Sequence, residues 1–220
     1  MTATTVHTFE TADDAVAAIV ATILDIPDIS SLALTGGRAG TAITSEVIAR
    51  WPAEAPLHIW FSDERFLPIG DDDRNDSIAM IAVEERADAD ITIEAALGPE
   101  SGVDADDAAT DMWQRLTEAG IPELAVVSIG PDGHVASIFP GHELLQVDTA
   151  TVRSIYDSPK PPATRITWTL PLILKCSRIL LVAIGSDKTD AVTGLLAGDD
   201  SLPATRLLGA GVELFVCTKK

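Results

Sequence analysis

The chain has 220 residues, 46% of them apolar, enough for a sizeable core in one large domain or two small ones. Its 15 Lys and Arg stand against 34 Asp and Glu, a net charge of −19 that repels nucleic acid and anionic membranes and favours solubility. An anionic ligand must then be drawn in by a local cluster of the scarce cations, so the place of each Lys and Arg is informative.

Residues 1–14 lack a basic stretch followed by an apolar core, so no secretory leader is expected. The strongest apolar run, 179–184, is far too short for a membrane span, and the expected location is cytoplasmic. In chain order, Ala12–Leu24 carries Val16, Ile19, Val20 and Ile23 at helical spacing behind Thr11, a candidate N-cap. Ser31–Leu34 is a short apolar run closed by Gly36 and Gly37, hence a buried strand, and a helix follows over 41–50. Leu57–Phe61 is a second strand; residues 77–86 and 104–119 have helical patterns. Residues 124–129 form a third buried strand, 151–156 a weaker one and Arg178–Ile184 a strong one. A helix over 187–196 and a strand over Val212–Cys217 close the chain. Cys176 and Cys217 show no CxxC spacing, so a metal knuckle or redox pair is not expected; Cys217 has the setting of a buried thiol.

Short apolar strands alternating with amphipathic helices predict an α/β protein: residues 1–220 as a single domain, three-layer αβα and Rossmann-like, around a mainly parallel sheet. In such sheets ligands bind beyond the carboxyl ends of the strands. The segments after each strand are therefore where chemistry is sought.

The first strand runs into Thr35-Gly36-Gly37-Arg38-Ala39-Gly40. Glycines admit a close backbone approach, and the following helix offers free N–H groups to an anion; a plain tight turn is an equally good reading. The stretch is neither a G-x-G-x-x-G fingerprint nor a Walker loop. The second strand runs into Asp63-Glu64-Arg65, either a salt bridge capping the strand or an arginine held by carboxylates and aimed at an anion. Asp71-Asp72-Asp73-Arg74-Asn75 lacks EF-hand spacing and is taken as a solvated loop.

The third strand runs into Gly130-Pro131-Asp132-Gly133-His134. A lone histidine is more often structural than catalytic, but this one follows a turn after a buried strand, and Asp132 is placed to orient its ring. No G-x-S-x-G elbow supports a serine nucleophile. His134 and His142 are a poor metal pair for want of a well-spaced third ligand. Prolines stiffen an extended loop over 158–167 that carries Lys160 and Arg165. Arg38, Arg65, Lys160, Arg165 and Lys188 all fall at or near presumed strand ends, which in so acidic a chain points to an anion site.

Thr35-Gly36-Gly37, Asp63-Glu64-Arg65, Gly130-Pro131-Asp132-Gly133-His134, Ala136-Ser137-Ile138-Phe139-Pro140-Gly141, and Lys160-Pro161-Pro162 with Arg165-Ile166-Thr167 together resemble the 6-phosphogluconolactonase family, a relative of the glucosamine-6-phosphate isomerase/deaminases. The resemblance covers nearly the whole chain, and the third and fourth stretches are its specific part. The deaminases share the Asp-Gly-His turn but continue with an Asn-Glu-Pro-like stretch, which favours the lactonase branch. The resemblance implies a metal-independent, cofactor-free hydrolase of a phosphosugar lactone in the pentose phosphate pathway, with His134 activating water. Asp132 is the expected second catalytic residue. Gly36, Gly37, Arg38, Asp63, Arg65, Gly133, Lys160, Arg165 and Lys188 are the expected substrate-site residues. The partner is the small-molecule lactone alone, with no nucleic acid and no membrane; the expected state is a monomer, an oligomer being left open.

Two departures stand out. The family's first loop reads Gly-Gly-Ser-Thr-Pro, whereas this chain has Gly36-Gly37-Arg38-Ala39-Gly40, so Arg38 either replaces the lost hydroxyl contacts or points to solvent. Ser128 stands where the family commonly has glycine. Two other readings remain: an amino-sugar-phosphate isomerase or deaminase using Asp63 as base, and a non-catalytic sugar-phosphate sensor. The short N-terminal stretch leaves no room for the helix-turn-helix such a sensor carries.

Overall fold

Successive residues of the central strands enter two different cores, and that alternation sets the layers. The computed structural model describes residues 4–209 and 211–219. In chain order the elements are β1 (Thr5–Thr8), α1 (Ala12–Leu24), β2 (Ser31–Leu34), α2 (Gly37–Arg50), β3 (Leu57–Phe61), β4 (Asp63–Arg65), α3 (Ser77–Glu84), β5 (Ile91–Ile93), α4 (Ala105–Ala119), β6 (Leu124–Ser128), β7 (Val152–Ile155), β8 (Arg165–Trp168), α5 (Leu170–Ile173), β9 (Arg178–Ile184), α6 (Thr189–Leu196) and β10 (Val212–Cys217). Seven strands form one sheet in the order β1-β10-β9-β6-β2-β3-β5, with every pairing parallel. The other three form an antiparallel sheet, β4-β8-β7.

On one face of the large sheet, Leu124 and Val126 of β6 with Leu180 and Val182 of β9 pack against Ile19, Val20 and Ile23 of α1 and Ile43, Val47 and Ile48 of α2. On the other face, Ala125 and Val127 with Ile179, Leu181 and Ala183 meet Met112 and Leu116 of α4, Leu195 of α6, and Ile166 and Trp168 of the small sheet. A parallel sheet covered on both faces needs apolar residues on both sides of its strands, and residues 124–127 and 179–183 supply them. This is the three-layer α/β arrangement expected from the sequence, with the small sheet added to one outer layer. Among the described residues no helix is long and apolar enough to cross a membrane.

Thr11 caps α1 as predicted, its Oγ1 accepting the Asp14 N–H at 3.1 Å. β1, β5 and α5 were not expected, and other segments differ from expectation in bounds or kind. Helix α2 begins at Gly37 rather than near 41, because the glycines that weaken its helical pattern serve packing: a Cβ on Gly40 would lie 2.0 Å from the Thr35 carbonyl oxygen. Residues 63–65 and 165–168 are strands, not a strand terminus and a loop. The 71–75 loop is solvated only in part: Asp72 and Asp73 are exposed, but Arg74, Asn75 and Asp76 are buried. Cys176 and Cys217 are both buried free thiols.

Candidate active site

The carboxyl ends of β2, β6 and β9 and the edge of the small sheet enclose a cleft of about 250 Å³. Its wall includes Gly36, Gly37, Asp63, Arg65, His134, Lys160, Arg165 and Lys188, eight of the residues expected from the sequence.

His134 reaches the cleft by a tight return of the chain. The Gly130 N–H donates to the His134 carbonyl at 2.8 Å and the Gly133 N–H to the Gly130 carbonyl at 2.9 Å. Gly133 takes φ 79° in this turn, with Leu202 packed against it. It thus shapes the turn beneath the cleft rather than lining it. Gly130 is required for a different reason: a Cβ there would lie 1.9 Å from Nδ1 and Cε1 of His134, so the imidazole lies directly on the bare backbone. The ring also packs on Phe139 at 4.7 Å between centroids.

His134 Nδ1 is hydrogen-bonded to Asp132 Oδ1. A carboxylate only accepts, so Nδ1 carries the proton and Nε2 presents its lone pair. Nε2 has no hydrogen-bond partner among the described residues. Burial is the largest influence on His134 and lowers its pKa; Asp132 and, more weakly, Asp63 oppose this, Lys160 adds to it, and the net shift is downward. Burial works to raise the Asp132 carboxyl, but the His134 hydrogen bond and the charges of His134 and Lys160 outweigh it and hold it below its ordinary value. The pair is therefore a neutral imidazole on an ionised carboxylate. His142 is spent elsewhere: its Nδ1 accepts the Leu144 N–H at 3.1 Å and its Nε2 lies 3.2 Å from Asp157.

The cations divide into free and committed groups. Lys188 Nζ donates to Ser128 Oγ at 3.0 Å, so the serine in place of the usual glycine orients this lysine. Burial lowers the Lys188 pKa, with Lys160 and Arg38 adding to the effect and Asp187 opposing it. Arg38 is exposed and lines an adjoining hollow of about 570 Å³ that shares Gly37, Ser128 and Lys188 with the cleft. Arg65 donates through Nη1 to the Asp73 carbonyl. Arg165 borders the cleft, but most of its donors are taken: Nε by Pro162 O (3.1 Å), Nη2 by Lys160 O (3.1 Å) and Pro161 O (3.2 Å), and one N–H of Nη1 by Ser137 Oγ (3.4 Å).

Neither salt bridge within Asp63-Glu64-Arg65 forms. Asp63 Oδ2 accepts from Ser137 Oγ at 2.6 Å and lies 3.9 Å from Arg165 Nη1. Glu64 is 1% exposed and accepts three backbone N–H groups, from Arg65 (2.7 Å), Asn75 (2.7 Å) and Asp76 (2.9 Å). Burial, then Asp76, pushes its carboxyl up to about 8, with the N–H donors and Arg74 opposing. Beside it Arg74 and Asp76 form a buried ion pair. Asn75 completes the wall: its Nδ2 donates to the Asp63 carbonyl at 2.7 Å, and its side chain fills the space a Cβ on Gly36 would need.

Thr35, Asn75, Ser128 and Ser137 belong to the site or its support, although none was among the expected site residues. Ser137 lay inside a motif already singled out; Asn75 carried no signal, being the last residue of an apparently solvated run. Among the described residues no three His, Cys, Asp or Glu side chains cluster as metal ligands.

A histidine–carboxylate pair in a cation-ringed cleft at the strand ends of an αβα sheet defines an α/β protein equipped to place a base beside an anionic ligand. Residues 4–216 match the family model described as glucosamine-6-phosphate isomerases/6-phosphogluconolactonase, and the chain belongs to that family. It is 36% identical over 192 residues to a 6-phosphogluconolactonase of Streptomyces coelicolor, covering 80% of this chain and 73% of the relative. Among solved structures it is similar to the 6-phosphogluconolactonase of Thermotoga maritima (TM-score 0.79, 24% identity, 96% and 97% of the two chains). That of Trypanosoma brucei is also similar (TM-score 0.80, 22% identity, 96% and 95%). At these identities the two structures speak for the fold.

Proposed function

We propose that this chain hydrolyses 6-phosphogluconolactone to 6-phosphogluconate, with His134 as general base. The observation that carries the mechanism is the His134–Asp132 pair: Nδ1 is held by a carboxylate and Nε2 is free, so the ring accepts a proton in one direction only. Family membership and the lactonase relatives supply the reaction class.

The phosphate is anchored where the cleft and its adjoining hollow meet, by the N–H groups at the start of α2 (Gly36 and Gly37) and by Lys188, with Arg38 reaching it from the hollow side. Water bound at His134 Nε2 gives up a proton as its oxygen attacks the lactone carbonyl carbon. The tetrahedral intermediate collapses with cleavage of the bond to the ring oxygen, which takes the proton back from the imidazolium, leaving a carboxylic acid that ionises. Asp132 stabilises the transient imidazolium. Arg165 is occupied by the protein and Lys160 sits on the Nδ1 side, so Arg65 is the cation left for the developing oxyanion. General-base help contributes roughly 10²–10⁴-fold and one preorganised donor about 10²–10³-fold.

The test is His134→Gln, assayed for acid release above the spontaneous hydrolysis of the lactone. Turnover falls by about 10²–10⁴-fold while 6-phosphogluconate binding, measured by calorimetry, is kept. A variant turning over at near wild-type rate ends the base assignment. The deaminase reading is checked in the same preparation by ammonia release from glucosamine 6-phosphate.

A further inference from the structure

Arg165 sits at the cleft yet spends its guanidinium on the carbonyls of Lys160, Pro161 and Pro162. It is itself backed by Ser137 and Asp63, so it is a clamp on the 160–162 segment. The clamp sets the start of the Lys160 side chain, and the ammonium lands beside Nδ1 and Asp132. Lys160 Nζ is 3.3 Å from His134 Nδ1, 3.8 Å from Asp132 Oδ1 and 5.9 Å from the centre of the Phe139 ring that also supports the imidazole. Nδ1 already donates to Asp132, so it does not accept from the lysine. The 3.3 Å approach is an electrostatic contact between an ammonium and a ring that must not become positive too early.

We propose that Lys160 is a positioning residue of the lactonase centre: clamped through its own segment by Arg165, it pairs with Asp132 and keeps the His134 imidazole neutral, so that Nε2 stays open to water. The proposal rests on the lactonase reading and assigns to Lys160 a role other than substrate contact. Asp132, Lys160 and Asp63 are the charged groups that weigh most on His134, and Arg65, Arg165 and Lys188 share its cleft. The two carboxylates favour the imidazolium; Lys160 is the cation that opposes them. Without it burial still opposes the carboxylates but the nearby cation does not, the charged ring is less disfavoured, and the base is lost to protons at a higher pH. The lysine side chain is 44% exposed, so water screens the effect and its size is moderate, about 0.5–1 pH unit.

The experiment compares wild type, Lys160→Met and Lys160→Arg by two readouts. One is the His134 imidazole midpoint, followed by NMR on the full chain without substrate. The other is kcat/KM against pH. In the methionine variant both midpoints rise by about 0.5–1 unit. Below the midpoint its rate falls by roughly 3–10-fold, while the high-pH plateau stays within about threefold of wild type. Arginine restores the wild-type midpoint. An unmoved midpoint overturns the proposal, as does a KM raised tenfold with an unmoved acid limb, which would make Lys160 a ligand of the substrate's own anion. The NMR readout needs no turnover. Failure of the lactonase reading would show as no acid release by the wild-type chain above spontaneous hydrolysis and would leave the titration comparison intact, so the two failures are distinguishable.

Discussion

Gly130→Ala displaces the imidazole without removing any side chain of the site. The backbone at Gly130 is not among those with positive φ, so alanine meets no conformational penalty there. Its Cβ would lie 1.9 Å from Nδ1 and Cε1 of His134 and 2.8 Å from Asp132 Oδ1, against 3.4 Å for ordinary contact. The imidazole must retreat by about 1.5 Å, and a misplacement of roughly 1 Å costs on the order of 10²-fold in rate. The retreat also strains the Asp132 hydrogen bond, and the full loss is bounded by the ~10⁴-fold that general-base catalysis contributes at most. The groups assigned to the phosphate, Gly36, Gly37 and Lys188, lie on other loops and are untouched. The expected result is kcat lower by about 10²–10³-fold with KM nearly unchanged and a stability loss of at most ~2 kcal/mol, because a side chain yields rather than the backbone. Acid release at constant pH, corrected for spontaneous hydrolysis, gives the rates, and urea unfolding gives the stability. A folded alanine variant with kcat within a few-fold of wild type would refute the placement of the imidazole and, with it, the geometry of the base.

Two further outcomes follow from the same contacts. The His134 pKa is lowered from its ordinary 6.5, so the neutral base persists as pH falls through 6.5 and is lost only below it; the acid limb of kcat/KM therefore has its midpoint below 6.5, and a midpoint at or above that value contradicts the electrostatic account. Arg74→Met leaves Asp76 buried without its partner beside Glu64, which costs about 3–5 kcal/mol; a loss under ~1 kcal/mol in urea unfolding contradicts the ion pair's role.

The five inner strands of the large sheet were legible because they carry the strongest pattern a sequence offers, short apolar runs closed by glycine or charge; the short edge strands β1 and β5 were not. β2, β3, β9 and β10 have the predicted bounds. Of the small sheet only β7 was expected, as a weak strand over 151–156. β4 is Asp-Glu-Arg and β8 begins with Arg165, because both strands border a polar cleft, and their pairing joins segments some hundred residues apart. The cations of the site were legible for the opposite reason, being rare in so acidic a chain. Their division into free and committed groups was not, since Arg165 turns back on backbone carbonyls of its own loop, and the partners of Glu64 are likewise backbone atoms. Glu64 takes the amides of Asn75 and Asp76, 11 and 12 positions on, and nothing in the side-chain pattern marks an amide as an acceptor's partner. Ser137 meets Asp63 across 74 positions.

That buried bonding also bears on which chemistry the cleft performs. Asp63 is the carboxylate a deaminase reading needs as a free base against a C2 proton. Here its Oδ2 takes the Ser137 hydroxyl, and Arg165 stands 3.9 Å away with its other donors closed on the 160–162 segment. Asp63 thus belongs to the frame that carries Lys160 to the Asp132–His134 pair. Moving a proton on or off Asp63 would disturb Ser137, Arg165 and the lysine together, whereas His134 can take a proton at Nε2 without breaking any bond that holds it. A base that cycles its proton at each turnover must be held by one nitrogen and free at the other, and among the titratable side chains of this cleft His134 meets that condition.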